Sequence, residues 1–225
     1  MSVKRELIKG TLILTAAGFA ARLLGFFNRV YLANLISNAE LGRYQLIFPI
    51  FMFCMAVSCA GIQVAVSKMV AAYHGAGKKK AIRQTIKSAG ITSLIVALLS
   101  SGCVIAFSEP ISRWILKDIS CRGYLVIMAI AIPFAAVHTC VGGYFYGIRH
   151  TAVPAVTQLL EQVVRVVSIY LLGAMMYQKG KIDASVAVWG LAAGEIFSCF
   201  LTWICYRFSI RRDRKSTRLN SSHSL

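Results

Sequence analysis

Apolar residues fall along this chain in six long runs, at roughly residues 10–36, 44–72, 88–108, 122–147, 154–177 and 185–206. Each approaches the ~20 residues that a helix needs to cross the hydrocarbon core of a bilayer, so the pattern predicts six transmembrane helices. The breaks between runs are short, and the only strongly hydrophilic one extends from His74 to Lys87. No signal-peptide cleavage pattern separates the first run from the rest, so it is read as a retained span. The fold class expected is an all-α polytopic membrane protein.

Composition agrees. Hydrophobic residues make up 57% of the 225 and charged residues only 15%, where soluble domains carry ~25% charged. Disorder is excluded by the same apolar content. The 7 Cys are odd in number and lie mostly within apolar runs, unlike a secreted disulfide framework. Lys and Arg outnumber Asp and Glu by 25 to 8. With the N-terminus placed in the cytoplasm, twelve basic residues fall in inside segments, Lys78-Lys79-Lys80 among them. Six fall outside: Arg43, Arg113, Lys117, Arg122, Lys179 and Lys181. Positive charge concentrates on the cytoplasmic side of membrane proteins, so a multi-pass cell-membrane protein with its N-terminus inside is expected. The basic surplus is then loop charge, and no nucleic-acid partner is needed.

The polar stretch after Arg212 is set apart. Residues 213–223 read as the translation of a common short-read sequencing adapter. Residues 213–225 are therefore excluded from fold reasoning as a non-native tail. The expected organisation is one six-helix transmembrane lobe over 1–212, with a native protein that continued beyond about residue 212.

Five ionisable residues lie where charge is expensive: Arg22 and Arg29 in the first span, Glu161 and Arg165 in the fifth, and Glu195 in the sixth. Such residues usually face a bundle interior or a wet cavity. Gly18, Arg22, Gly25 and Arg29 follow at steps of 4, 3 and 4, which places them on one helix face, the arginines about 10 Å apart along the axis. The glycines leave room beside two guanidiniums, whose donor forks suit phosphate and carboxylate. One reading is an anion-binding stripe in a central cavity. The other has Arg29 snorkelling outward and Arg22 paired with a glutamate of another span.

In the fifth span Gln158, Glu161, Gln162 and Arg165 occupy i, i+3, i+4 and i+7, a polar stripe on an apolar helix. Glu161 one turn before Arg165 suits an intrahelical pair; with two glutamines beside them, the stripe also fits the wall of a hydrated cavity. Glu195, flanked by Gly194, reads as a packing contact, an ion-coupling site or the partner of Arg22. Pro49 and Pro154, with Pro133, are candidate breaks in the spans, and Gly142-Gly143 with Gly147 suggest close approach or a hinge. His138 alone reads as a cavity or packing histidine. No CxxC spacing, Walker loop, nucleophile elbow or HExxH is present, so neither a metal, a cofactor nor an enzyme activity is expected.

The runs GTLILTAAGFAARLLGFFNRVYLANLIS (10–37), ELGRYQLIFPIF (40–51), GIQVAVSKMVAAY (61–73) and GGYFYGIRHTAVPAVTQLLEQVVRV (142–166) resemble the stage V sporulation protein B-like proteins. These are polysaccharide-biosynthesis flippases of the multidrug/oligosaccharidyl-lipid/polysaccharide exporter superfamily. The resemblance implies a fold of two six-helix lobes around a central cavity that rock by alternating access. It implies a bacterial plasma-membrane location, membrane lipids around the bundle, and a lipid-linked glycan of polyprenyl pyrophosphate type as cargo. This chain then supplies the first lobe and lacks the C-terminal one. Arg22 matches a first-helix cavity arginine of the related lipid II flippases; Arg29 matches less closely, because the spacing here is seven where theirs is six. Two alternatives stand beside a flippase: a cation-coupled multidrug exporter of the same superfamily that uses Glu161 or Glu195, and a non-transporting scaffold of an envelope or sporulation complex.

Overall fold

The structure, a computed structural model, describes residues 3–177 and 182–222. Lys179 and Lys181 of the orientation argument, and residues 223–225 of the tail, lie outside the described residues. Six long helices follow one another: α1 (Val3–Leu35), α2 (Asn38–Gly75), α3 (Lys79–Ala106), α4 (Cys121–Gly147), α5 (Ala152–Tyr177) and α6 (Ser185–Ser222). All six are long and apolar enough to cross a membrane. Among the described residues there is no strand.

The helices overrun the apolar runs at most ends, because hydropathy marks the lipid-facing middle while backbone hydrogen bonding continues through polar turns. The largest difference is at His74–Lys87, expected as a loop. Helix α3 already begins at Lys79, leaving a three-residue turn. Gly77 there has φ +68°; Lys78 N donates to Tyr73 O and Gly77 N to His74 O, the paired bonds of a Schellman stop. At the other end of the bundle, Ser37 caps α2 by accepting from the Glu40 N–H at 3.3 Å.

Helix α4 lies at the centre. Its Leu125, Met128, Ile132 and Ala135 are buried against Ile47 and Phe51 of α2, Ala97 of α3 and Leu191 of α6. In lipid, helices gain little from hiding apolar surface, so close approach through small residues carries the packing. A Cβ on Gly143 would stand 2.8 Å from the Gln63 carbonyl, and one on Gly147 2.7 Å from Val70 Cβ. Both are contacts of α4 with α2, so these glycines mark close approach. Gly142, by contrast, would meet only Gln63 Nε2 at 3.9 Å.

The prolines sit inside continuous helices. Pro133 cannot donate to the carbonyl four residues back, and that carbonyl, Ala129 O, accepts from Ser101 Oγ at 2.7 Å instead. Pro154 stands in the first turn of α5, where no donor is required. Pro49 lies within α2, about two turns before a π-helical stretch at Ala56–Ala60. The Ser58 carbonyl in that stretch accepts from Ser93 Oγ at 3.2 Å.

At the end opposite the start of α1, Glu40 and Arg43 together tie four segments. Glu40 accepts from Tyr124 Oη at 2.8 Å, from the Ala184 N–H at 3.0 Å, and from Arg43. Arg43 Nε also donates to Asp118 at 2.7 Å. From sequence Arg43 reads only as loop charge; Glu40 lies in the turn before it and Asp118 is 75 residues away, so nothing local announces the longer bond. The Arg43 guanidinium, with the Ser120 N–H, holds the Asp118 carboxyl below the usual carboxylate range. A depressed carboxyl stabilises the fold above its unfolded-state pKa of about 3.9 and loses that contribution as pH falls through its folded value. Asp118→Asn is therefore expected to lower stability at pH 7 by about 0.5–1 kcal/mol. In thermal unfolding of the detergent-solubilised protein, the gap from wild type should close below about pH 4; an unchanged gap at acid pH would remove this ion pair from the account.

Candidate functional site

Helices α1, α2 and α5 enclose a cleft of about 630 Å³. Arg22, Gly25, Asn28 and Arg29 line it from α1, Tyr44, Gln45 and Pro49 from α2, and Gln162 and Arg165 from α5. The 4-3-4 spacing of α1 thus brings both first-span arginines to one opening. Gly18 and Gly25 have no heavy atom within 4 Å of the place a Cβ would take, so the space beside the arginines is open. Arg22 and Arg29 are exposed, and neither forms an ion pair among the described residues.

The α5 stripe divides. Gln162 and Arg165 reach the cleft wall, Glu161 is buried behind it, and Gln158 is exposed and outside the lining. Arg165 Nη2 bonds Glu161 at 2.8 Å and Glu195 of α6 at 3.3 Å. Glu195 therefore serves Arg165 rather than Arg22. Gly190 and Gly194 bring α6 this close: a Cβ on Gly194 would lie 3.2 Å from the Glu161 carbonyl, and one on Gly190 2.3 Å from Ile169.

His138 of α4 joins this cluster. One of its ring nitrogens and a carboxylate oxygen of each of Glu161 and Glu195 lie within 4.8 Å of one another. The sequence treated His138 as isolated because its neighbours come from other helices. Sequence reasoning also missed Asn28, one turn after Gly25 on the arginine face; its Oδ1 is buried and without a partner. The signal was there, an amide inside an apolar span. Gln45 and Tyr44 of α2 were missed for a different reason: only the tertiary fold puts that face against α1.

Chemically, the cleft offers two unpaired guanidiniums, a third whose charge is compensated, and amides. A larger groove of about 850 Å³ on α2 and α3, lined by Phe53, Val57, Leu99 and Trp114 among others, contains no ionisable group other than Cys54 and Cys103.

The family described as "Polysaccharide biosynthesis protein" matches residues 7–224. The chain belongs to that family. Within this polysaccharide biosynthesis family its relatives include Stage V sporulation protein B of Bacillus subtilis (strain 168), 28% identical over 206 residues. That match covers 91% of this chain and 40% of the relative. Lipid II flippase MurJ of the same organism is 25% identical over 182 residues, covering 75% of this chain and 32% of its own. The chain thus spans about two fifths or less of the curated relatives it matches. A crystal structure of MATE in the bent conformation superposes with a TM-score of 0.83 at 13% identity, over 97% of this chain and 49% of that one. The fold is a six-helix bundle that matches about half of that solved chain, and the chain is a multi-pass membrane protein.

Solvent access separates the two layers of the site. In a cysteine-free background, a cysteine at position 22 should react with a membrane-impermeant thiol reagent at least about tenfold faster than one at position 161. Equal rates would mean that the wall between cleft and cluster does not exist.

Proposed function

We propose that the full-length protein carries a lipid-linked oligosaccharide or cell-wall precursor across the bacterial plasma membrane by alternating access. In this reading the chain is the first of two lobes, its N-terminus is cytoplasmic, and the C-terminal part of a longer chain supplies the opposite wall of the cavity. The protein is then a transporter and not an enzyme, and its partners are the lipid-linked glycan and the surrounding lipids.

One observation carries the reading: two guanidiniums, Arg22 and Arg29, stand in one cleft within the membrane span with no counter-ion among the described residues. Each ionised arginine near the bilayer centre costs at least ~2.5–3.5 kcal/mol, and two side by side also repel. A wet cavity lowers that cost, and an anion offsets it. A polyprenyl pyrophosphate presents phosphate oxygens that the arginine fork grips in paired bonds. Gln162, Gln45 and Asn28 add donors for the sugar hydroxyls or the remaining phosphate oxygens. A relative named a lipid II flippase supports the same substrate class.

The cation-coupled multidrug exporter fits the same fold, which the MATE likeness supports. Its cargo would need carboxylates facing the cleft, yet Glu161 and Glu195 both lie behind the wall, engaged with Arg165. A scaffold would leave the arginines unexplained.

Arg22→Ala in the full-length protein should remove a charge-assisted contact of about 1.5–3 kcal/mol and cut transport at least about tenfold. Complementation of a flippase-deficient strain is expected to fail while membrane expression stays unchanged. Normal complementation would take Arg22 out of the mechanism.

A further inference from the structure

The ion cluster behind the cleft does not balance. Arg165 supplies one positive charge and meets two carboxylates, Glu161 and Glu195, both more than nine-tenths buried. If both were ionised and His138 neutral, the cluster would hold one uncompensated negative charge in the apolar interior. An unpaired buried charge is among the costliest features a fold can carry. Among the described residues no cation other than Arg165 pairs with either carboxylate. Glu195 faces Glu161 and Arg165 from α5, the Cys59 thiol from α2 and the Cys199 thiol of its own helix. His138 faces Glu161 from α4. Arg29 and Arg165 both act on Tyr44 from the cleft side.

A second observation points to what fills the deficit. A carboxylate oxygen of Glu161 and one of Glu195 lie within 4.8 Å of each other, and at that separation in an apolar interior one shared proton removes the repulsion of two like charges. A metal ion fits less well: it would sit among the His138, Glu161 and Glu195 ligand atoms, directly against the Arg165 guanidinium that already bridges both carboxylates.

We propose that Glu161 and Glu195 hold a single proton between them, so that the wall of the cleft is a proton-binding site fed through His138. The step is a simple transfer. A proton from water joins His138, a proton leaves the ring to a carboxylate oxygen, and the new O–H bonds to the second carboxylate while Arg165 stays in place. Resting on the anion-binding reading of the cleft, the site sets its charge. With the proton bound, the cluster is neutral and Arg22 and Arg29 act on the cleft unopposed. With the proton lost, a net negative charge lies behind Arg165. Proton and anion binding are then linked, and by reciprocity each favours the other.

The test uses the purified full-length protein. Infrared difference spectra across a pH series should contain a protonated-carboxyl C=O band in wild type that is lost in Glu195→Gln and in Glu161→Gln. Each variant leaves one carboxylate for Arg165 and so keeps the cluster neutral and folded. Glu109→Gln, a half-buried glutamate paired outside the cluster, should retain the band. Persistence of the band in both cluster variants, or its absence from wild type, would overturn the proposal. A band replaced on adding sodium or zinc at constant pH would overturn it too, in favour of a metal-ion site. A second arm measures binding of a short-chain polyprenyl pyrophosphate. Wild-type affinity should fall by up to about tenfold per pH unit where the band titrates, and Glu195→Gln should flatten that dependence. An intact, titrating band with no pyrophosphate binding at any pH would leave the proton site standing and reject the anion reading alone.

Discussion

Arg165, gripped by Glu161 and Glu195, is the constraint on which the arrangement of α5, α6 and the cleft depends. Inside a bilayer there is no bulk water to solvate a guanidinium, so its counter-charge must arrive on another helix at bonding distance. That requirement fixes how closely α5 and α6 lie. Gly194 stands beside Glu195 in the sequence, and a side chain there would press on the Glu161 carbonyl. The residue that leaves room and the residue that supplies charge are thus neighbours, and the pair is a single device. Removing Arg165 would strand the carboxylates it bridges, a cost of about 3–5 kcal/mol.

With Arg165 neutralised from behind, the cleft divides its labour. The inner wall is compensated and rigid, whereas α1 contributes charge without partners. Helix α1 packs mainly along α5 at Leu32, Ile36 and Ile169 and leaves Phe19, Phe26 and Phe27 exposed. It is the least enclosed of the helices, which suits an element that bears ligand-facing arginines and borders a second lobe in a two-lobe carrier. The Glu40 clasp at the other end joins the start of α2, the segments leading into α4 and α6, and α4 itself. One end of the bundle is thereby tied while the cleft stays open.

Much of this was legible in the residue pattern. Six apolar runs located six helices, because length and hydropathy suffice where lipid is the solvent. Of the face spaced 4-3-4, Arg22, Gly25 and Arg29 line the cleft, while Gly18 lies outside its lining. What the pattern could not supply was pairing across helices. Glu195 had three readings from sequence, and the choice among them rests on a contact with a residue 30 positions earlier. The α5 stripe looked uniform, yet Gln158 lies about 10 Å along the axis from Arg165, far enough to fall outside the lining that Arg165 enters. His138 and Glu40 were unremarkable for the same reason. The charged stretch before α3 was misjudged because hydrophilicity was equated with loop, although its backbone has every local reason to be helical from Lys79 onward.

The central claim is that a pyrophosphate headgroup sits between α1, α2 and α5. Photolysis of a polyprenyl pyrophosphate with a photoreactive group next to its phosphates, in membranes containing the full-length protein, tests it most directly. The account predicts label on the peptides around Gly25 and Gln45, displaced by unlabelled polyprenyl pyrophosphate. Label confined to the apolar groove around Phe53 and Leu99, or not displaced by the competitor, would contradict it.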